Sequence, residues 1–282
     1  MSWLPPLYPV VYENLVREAL REDLGRAGDL TTDAVAAPGQ HATAAVRVRR
    51  PGRVAGLEPS LHAFRCLDPG VTVDMSVADG DDVEAGTVLA RVSGGARELL
   101  SAERTALNLL GRLCGIATAT RDLVRVVAGT SARIVCTRKT TPLLRALEKY
   151  AVRAGGGVNH RFGLDDAVLI KDNHRALAGS AAAAVRRARN AVGHLVKIEI
   201  EVDDLTELEE ILALGVDAVL LDNMSPAELR HAVEIVAGRA VTEASGGITL
   251  ATAAEIAATG VDLLSVGWLT HSAPALDVGL DF

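Results

Sequence analysis

Aromatic residues are scarce in this 282-residue chain: three Phe, three Tyr and two Trp, 3% of the whole. A surface that stacks unpaired bases needs aromatic platforms, so the shortage argues against a single-stranded nucleic-acid binder. Basic residues are outnumbered, 29 Lys and Arg against 36 Asp and Glu, and a net charge of −7 argues against a broad face that tracks DNA phosphates. Any basic cluster must be local, which suits a small anionic ligand better than a polymer. Cysteines number three, Cys66, Cys114 and Cys136, far apart and without CxxC pairing. An odd count with no secretory leader in Met1-Ser2-Trp3-Leu4-Pro5-Pro6 reads as reduced thiols in the cytoplasm. No stretch approaches ~18 uninterrupted apolar residues, so no membrane span is expected. No His/Cys/Asp cluster has zinc spacing, and no serine nucleophile elbow is present.

Apolar residues, by contrast, make up 49% of the chain, so the core is built from Val, Leu, Ile and Ala. In the second half, six strand-like runs nearly all end on a charge or a glycine pair. They are Arg133-Ile134-Val135-Cys136-Thr137-Arg138-Lys139, Val168-Leu169-Ile170-Lys171, Val196-Lys197-Ile198-Glu199-Ile200-Glu201-Val202, Ala218-Val219-Leu220-Leu221-Asp222, Ala240-Val241-Thr242-Glu243-Ala244-Ser245-Gly246-Gly247 and Leu263-Leu264-Ser265-Val266-Gly267. Strands covered on both faces read as continuous Val/Ile/Leu runs, and a terminal charge marks where the strand leaves the core. In α/β barrels that end carries catalysis, because loops from several strands converge there. Helical stretches near residues 178–192, 205–214, 226–236 and 251–259 supply the crossovers. Ser225-Pro226-Ala227-Glu228 is a capping-box start for one of them and places Asp222 on the preceding strand-to-helix loop.

The first hundred residues differ: a helix near 13–22, then β-rich segments including 44–48 and 71–75, broken by Gly/Pro/Asp turns. Residues 77–92 look like the hammerhead of a biotinyl or lipoyl carrier, but the exposed lysine such a carrier modifies is missing, so a structural α/β sandwich is the better reading. A helix over about 99–127 bridges to the barrel. The predicted fold is α/β: an open, incomplete barrel of about six to seven strands over residues 116–272, with an N-terminal α/β sandwich over 1–115 on which the 273–282 tail packs.

The basic set is Arg104, Arg138, Lys139, His160, Arg161 and Lys171. Arginine forks match carboxylates and phosphates, and lysine acts as a compact charge. At one rim they would hold a dicarboxylate or polyphosphate. For any one of them the plain alternative is a solvated charge or an ion pair to Glu148, Asp165 or Asp172. The acidic set is Glu201 and Asp222, with Glu199 and Glu243 as further candidates; period-two alternation puts Glu199 and Glu201 on one face. Such carboxylates hold Mg²⁺ or ribose hydroxyls, or balance Lys139 and Lys171. Ser245-Gly246-Gly247 and Ser265-Val266-Gly267 resemble paired phosphate loops after late barrel strands. His41, His62, His194 and His231 are isolated, and His174 and His271 lie near strand ends.

With these strings in place, the chain resembles the quinolinate phosphoribosyltransferase family along essentially its whole length. The likeness runs through Gly28-Asp29-Leu30-Thr31-Thr32, Glu103-Arg104-Thr105-Ala106-Leu107-Asn108, Thr137-Arg138-Lys139-Thr140-Thr141-Pro142, His160-Arg161, Leu169-Ile170-Lys171-Asp172-Asn173-His174, Glu199-Ile200-Glu201-Val202, Leu221-Asp222-Asn223 and Glu243-Ala244-Ser245-Gly246-Gly247. It implies a cytoplasmic phosphoribosyltransferase of NAD biosynthesis. Such an enzyme joins quinolinate to phosphoribosyl pyrophosphate with loss of CO₂. It also implies Mg²⁺, and a homodimer, or a higher assembly, whose active sites are shared across the interface. By the same resemblance Lys139, Glu201 and Asp222 are catalytic. Arg104 (from the neighbouring subunit), Thr137, Arg138, Lys139, His160, Arg161, Lys171, Glu201, Asp222, Ser245, Gly246, Gly247 and Gly267 bind substrates. Glu201 and Asp222 hold the metal, directly or through water or substrate. The chain departs from the family pattern at Cys114, Leu143 and Trp268, where serine, glycine and a small residue are common. Two readings compete: a relative that takes another acid, such as nicotinate, which the full basic set disfavours, and a non-catalytic carrier, which lacks its lysine.

Overall fold

A computed structural model describes residues 4–282. Two compact units divide them: unit 1 holds the residues up to Arg121 with Thr140–Gly156 and Leu269–Phe282, and unit 2 holds Asp122–Lys139 and Gly157–Trp268.

Unit 1 opens with α1 (Pro9–Leu24) and α2 (Leu30–Val35), the latter capped by Asp29, whose carboxylate accepts from the Thr32 amide at 2.9 Å. Strands β1 (His41–Val48) and β2 (Gly52–Arg53) follow, then α3 (Leu57–Leu67), β3 (Thr72–Met75), β4 (Asp82–Val83) and β5 (Val88–Gly95). Helix α4 (Ala96–Val126) crosses into unit 2 after Arg121. Its Leu99, Ala102, Ala106, Leu110, Leu113 and Ala117 are fully buried, the i, i+3, i+4 stripe of an amphipathic helix. Gly111 and Gly115 lie on α4 because a side chain there would collide with chain carbonyls: a Cβ on Gly115 would sit 2.1 Å from the Pro274 carbonyl oxygen. The C-terminal segment is thereby laid along α4 and ends as a strand that pairs antiparallel with β1, Val46 opposite Leu280. That strand, β1, β5 and β3 form a four-stranded antiparallel sheet, while β2 and β4 make a separate short ladder. In the hammerhead-like stretch, Asp79 accepts from the Leu57 amide at 3.1 Å and from the Tyr150 hydroxyl at 2.7 Å. Burial raises its carboxyl above the usual range. The turn is anchored inward, as a structural element would be.

Unit 2 holds β6 (Arg133–Val135), and after it the chain returns to unit 1 for α5 (Arg145–Ala154). Then come β7 (Val168–Ile170), α6 (Asp172–Ala178), α7 (Ala181–Ala191), β8 (Ile198–Val202), a 3₁₀ turn at Leu205–Glu207, α8 (Leu208–Ala213), β9 (Ala218–Asp222), α9 (Pro226–Val236), β10 (Val241–Ser245), α10 (Ala253–Ala257) and β11 (Leu263–Ser265). The short α11 (Trp268–His271) and β12 (Val278–Asp281), the strand on β1, end the chain. The six strands β6 to β11 form one parallel sheet in the order β6-β11-β10-β9-β8-β7, and β6 and β7 stay unpaired with each other. It is an open barrel with no closed ring, and six strands is its count among the described residues. The Ser225–Glu228 capping box is in place at the start of α9. Alternation along the strands sorts the side chains. Ile198, Ile200, Val219, Leu221 and Leu264 are buried, while the alternate residues Glu199, Glu201, Leu220, Asp222, Glu243, Ser245 and Ser265 line internal cavities. A barrel interior is ordinarily filled with Val, Ile and Leu. Carboxylates there need a reason beyond packing.

Candidate active site

A cavity of about 390 Å³ opens at the carboxyl ends of the six strands. Each strand or its following loop contributes: Thr137, Arg138 and Lys139 after β6, Leu169 and Lys171 at β7, Glu201 on β8, Leu220 and Asp222 on β9, Glu243 and Ser245 on β10, and Ser265 on β11. His160 and Arg161 enter from the loop before β7. The structure therefore gathers Thr137, Arg138, Lys139, His160, Arg161, Lys171, Glu201, Asp222 and Ser245 around one space. Gly246 and Gly247 follow directly on β10 and Gly267 lies two residues beyond β11, but none of the three lines this cavity.

The cations are held in different ways. Lys171 Nζ donates to Glu201 Oε2 at 2.6 Å, so part of the acidic set does balance the basic one. The Lys139 amide donates to Thr137 Oγ1 at 3.0 Å, which shapes the turn after β6. Arg161 spends one terminal nitrogen on the Ala167 carbonyl at 2.9 Å, but its Nε, like that of Arg138, is buried with no hydrogen-bond partner. Burial, and next the positive charge of Arg138, lower the pKa of the Arg161 guanidinium. Two guanidiniums held close enough to repel, each with a buried unmatched N–H, form a place prepared for anionic oxygen. Glu148 does not neutralise this set. It is fully buried in unit 1, where Arg112 donates to it at 2.8 Å.

His160 is oriented from both sides. Its Nδ1 accepts from the Arg161 amide at 2.7 Å, which leaves Nε2 to face Glu199 Oε2 at 2.9 Å and Glu243 Oε1 at 3.8 Å. An Nδ1 that accepts carries no proton, so the hydrogen lies on Nε2 and is donated to Glu199. Glu199 and Glu201 share a strand face, as alternation requires, yet serve different neighbours. Glu199 belongs to a second cavity of about 430 Å³ toward the amino ends of the strands, which shares His160, Arg161 and Glu243 with the first.

Asp222 is set by its neighbours too. Asn223 sits in the left-handed region at φ +56°, where Asn is tolerated. Its side-chain amide donates to Asp222 Oδ2 at 2.6 Å, and its backbone amide to the Ser245 carbonyl at 2.9 Å. Gly246, at φ +97°, packs so closely on this turn that a Cβ would lie 2.2 Å from Asn223 Oδ1. Neither Asn223 nor Asp203 is among the site residues expected from the sequence. The carboxylates of Glu201, Asp203 and Asp222 bring one oxygen each within 4.8 Å of one another. The signal for Asn223 was an Asn directly after a strand-end Asp. Asp203, exposed one residue beyond β8, had none.

The remaining histidines have other work. His174 Nδ1 accepts from the Lys171 amide at 2.9 Å as part of the α6 cap, and His271 meets Ser272 Oγ at 2.6 Å. Arg104 does not line the strand-end cavity. It is exposed on α4 in unit 1, beside a cavity of about 360 Å³ lined also by Glu22, Asp23, Asn108 and Arg112.

Comparison with known proteins places the chain in a family. Residues 29–114 match the family model for the quinolinate phosphoribosyl transferase N-terminal domain, and 116–281 that for the C-terminal domain. The chain is 44% identical over 269 residues to a probable nicotinate-nucleotide pyrophosphorylase [carboxylating] of Bacillus subtilis, covering 95% of this chain and 92% of that one. It is 47% identical over 274 residues to the Mycobacterium leprae nicotinate-nucleotide pyrophosphorylase [carboxylating], covering 94% and 95%. Among solved structures, NadC from Streptococcus pyogenes superposes with a TM-score of 0.95 at 38% identity, over 99% of this chain and 98% of that one. The chain belongs to the quinolinate phosphoribosyltransferase family.

Proposed function

We propose that this enzyme transfers the phosphoribosyl group of phosphoribosyl pyrophosphate to quinolinate and releases CO₂. The products are nicotinate mononucleotide and pyrophosphate, a step of de novo NAD synthesis. The observation that carries the reading is the Arg138–Arg161 pair, two half-buried arginines whose Nε groups are buried and unmatched at the strand-end cavity. A pyridine with adjacent carboxylates is the anion such a pair accepts, each fork taking one carboxylate. His160, fixed by Glu199 and the Arg161 amide, walls the same cavity. Lys139 and Lys171 face the leaving diphosphate, and the Ser245-Gly246-Gly247 and Gly267 loops take the 5-phosphate.

Catalysis is then positioning and electrostatics. The ring nitrogen forms a bond to ribose C1 as the bond from C1 to diphosphate breaks. C1 gains cationic character on the way, and the Glu201 and Asp222 carboxylates stabilise it. The alkylated nitrogen is positive and draws in the electron pair of the C2–carboxylate bond, so CO₂ leaves with no organic cofactor, and the ring carbon takes a proton. Glu201, Asp222 and Asp203 supply the hard oxygen donors that Mg²⁺ prefers, and their spacing fits one ion. An Mg²⁺ ion held by these carboxylates would supply positive charge to offset that of the diphosphate. Arg104, exposed on α4, is read as the residue given to a second copy's site in a homodimer. Exposed Val10, Leu30 and Val35 in the same unit offer apolar surface for such a copy to cover. Three free cysteines are consistent with the reducing cytoplasm.

The test mixes the protein, Mg²⁺ and phosphoribosyl pyrophosphate with quinolinate labelled in its 2-carboxylate, and runs nicotinate in parallel. Labelled CO₂ and a mononucleotide from quinolinate alone are the expected result. Turnover of nicotinate alone would overturn the dicarboxylate reading and leave only the phosphoribosyl transfer.

A further inference from the structure

Trp268, one of the two tryptophans in the chain, has a specific partner. Its indole Nε1 donates to the Ile248 carbonyl at 2.9 Å. Ile248 closes the Gly246-Gly247 loop after β10, and Trp268 follows Gly267 after β11. Pairing between β10 and β11 runs through Glu243–Leu263 and Ala244–Leu264. Beyond that last rung the two loops lead into separate helices. Gly246 and Gly247 both hold positive φ, +97° and +60°, in a loop whose conformation has few side-chain restraints of its own. The indole bridges this interval and ties one glycine loop to the other.

We propose that Trp268 is a positioning residue for the phosphate end of the site. Its N–H sets the spacing of the two loops so that the amides around Gly246–Gly247 and Gly267 converge on a single phosphate. The inference rests on the reading of these loops as the 5-phosphate site. It predicts a division between substrates, because the acid binds at the Arg138–Arg161 end.

Trp268→Phe keeps an aromatic ring and removes the donor, a loss worth about fivefold. The KM for phosphoribosyl pyrophosphate and the inhibition constant of ribose 5-phosphate should each rise about fivefold, while the quinolinate KM stays within about twofold. Trp268→Ala should show the same division more strongly. Because the chain has two tryptophans, a Trp3→Phe background leaves Trp268 as the sole indole, and ribose 5-phosphate should then change its emission. Unchanged phosphate-substrate constants in both Trp268 variants would overturn the proposal. So would an equal rise in both KM values with a fall in Tm, the mark of a merely structural residue. If the parent enzyme fails to turn over quinolinate, the functional reading fails on its own. The emission titration still decides the Trp268 proposal: a saturable change supports it, and none overturns it.

Discussion

Arg112 in unit 1 and Arg161 in unit 2 are both half-buried, yet their surroundings differ in kind. Arg112 is matched throughout: Nε and Nη2 donate to Glu148 Oε1 at 3.1 and 2.8 Å, Nη2 also donates to the Thr270 carbonyl, and Nη1 donates to the Ala273 carbonyl. Glu148 in turn accepts from the Thr141 amide and hydroxyl at 3.0 and 2.8 Å. Arg161 has one carbonyl partner, an unmatched Nε, and the like charge of Arg138 beside it. Folding gains nothing from that arrangement, since a buried polar group without a partner costs about 1–3 kcal/mol. A matched buried charge holds a fold, and an unmatched one awaits a ligand.

The largest effect should come from breaking the matched site. Arg112→Ala strands the buried Glu148 carboxylate and should cost about 3–5 kcal/mol of stability, read by chemical denaturation. Replacing Arg112 and Glu148 together with Met should recover most of it. Arg161→Ala should do the reverse: kcat/KM for quinolinate falls about 100-fold through the lost charged hydrogen bonds, while Tm holds or rises. A fall in Tm matching that of Arg112→Ala would erase the distinction between the two arginines. A smaller effect is ligand stabilisation. Quinolinate at about 100 times its Kd should add about 2.7 kcal/mol to the parent, shifting Tm upward, and should add little to Arg161→Ala.

The smallest expected effect lies at a matched charge near the surface. Asp82 is held at about 2, first by its hydrogen bond from Arg53 and then by Arg121. Its folded pKa lies below the unfolded value, so the unfolded chain takes up the proton first. The stabilisation is complete above about pH 4 and is lost as pH falls through the folded value. Exposure to solvent limits it to about 1 kcal/mol. Asp82→Asn should flatten the acid limb of the stability curve by that amount, and an unchanged limb would remove Asp82 from the account.

Much of this contrast was legible in the sequence, and the reasons are local. A charge at the end of an apolar run marks the mouth of a parallel sheet, which located Lys171, Glu201 and Asp222. Alternation put Glu199 and Glu201 on one face. Ser225-Pro226-Ala227-Glu228 announced its helix because a cap is made by residues three apart. What escaped depends on long-range contact. Glu148 looked like a partner for the basic set, and its actual partner Arg112 lies 36 residues earlier on α4. That the 273–282 tail packs on the N-terminal sandwich is legible; that it does so as a strand, Val278–Asp281 paired with β1 more than 200 residues away, is not. Helix α5 lies in a charged stretch whose apolar face is defined only by what it packs against. The left-handed turn at Asn223 shows itself only once Gly246 is packed on it.

Equilibrium binding separates the two kinds of arginine most directly. Quinolinate and nicotinate differ by one carboxylate, and each can be titrated calorimetrically into the parent protein and into Arg161→Ala. The unmatched pair predicts that the parent binds quinolinate about 100-fold more tightly than nicotinate, and that Arg161→Ala loses most of that preference. Equal affinities for the two acids in the parent would contradict it.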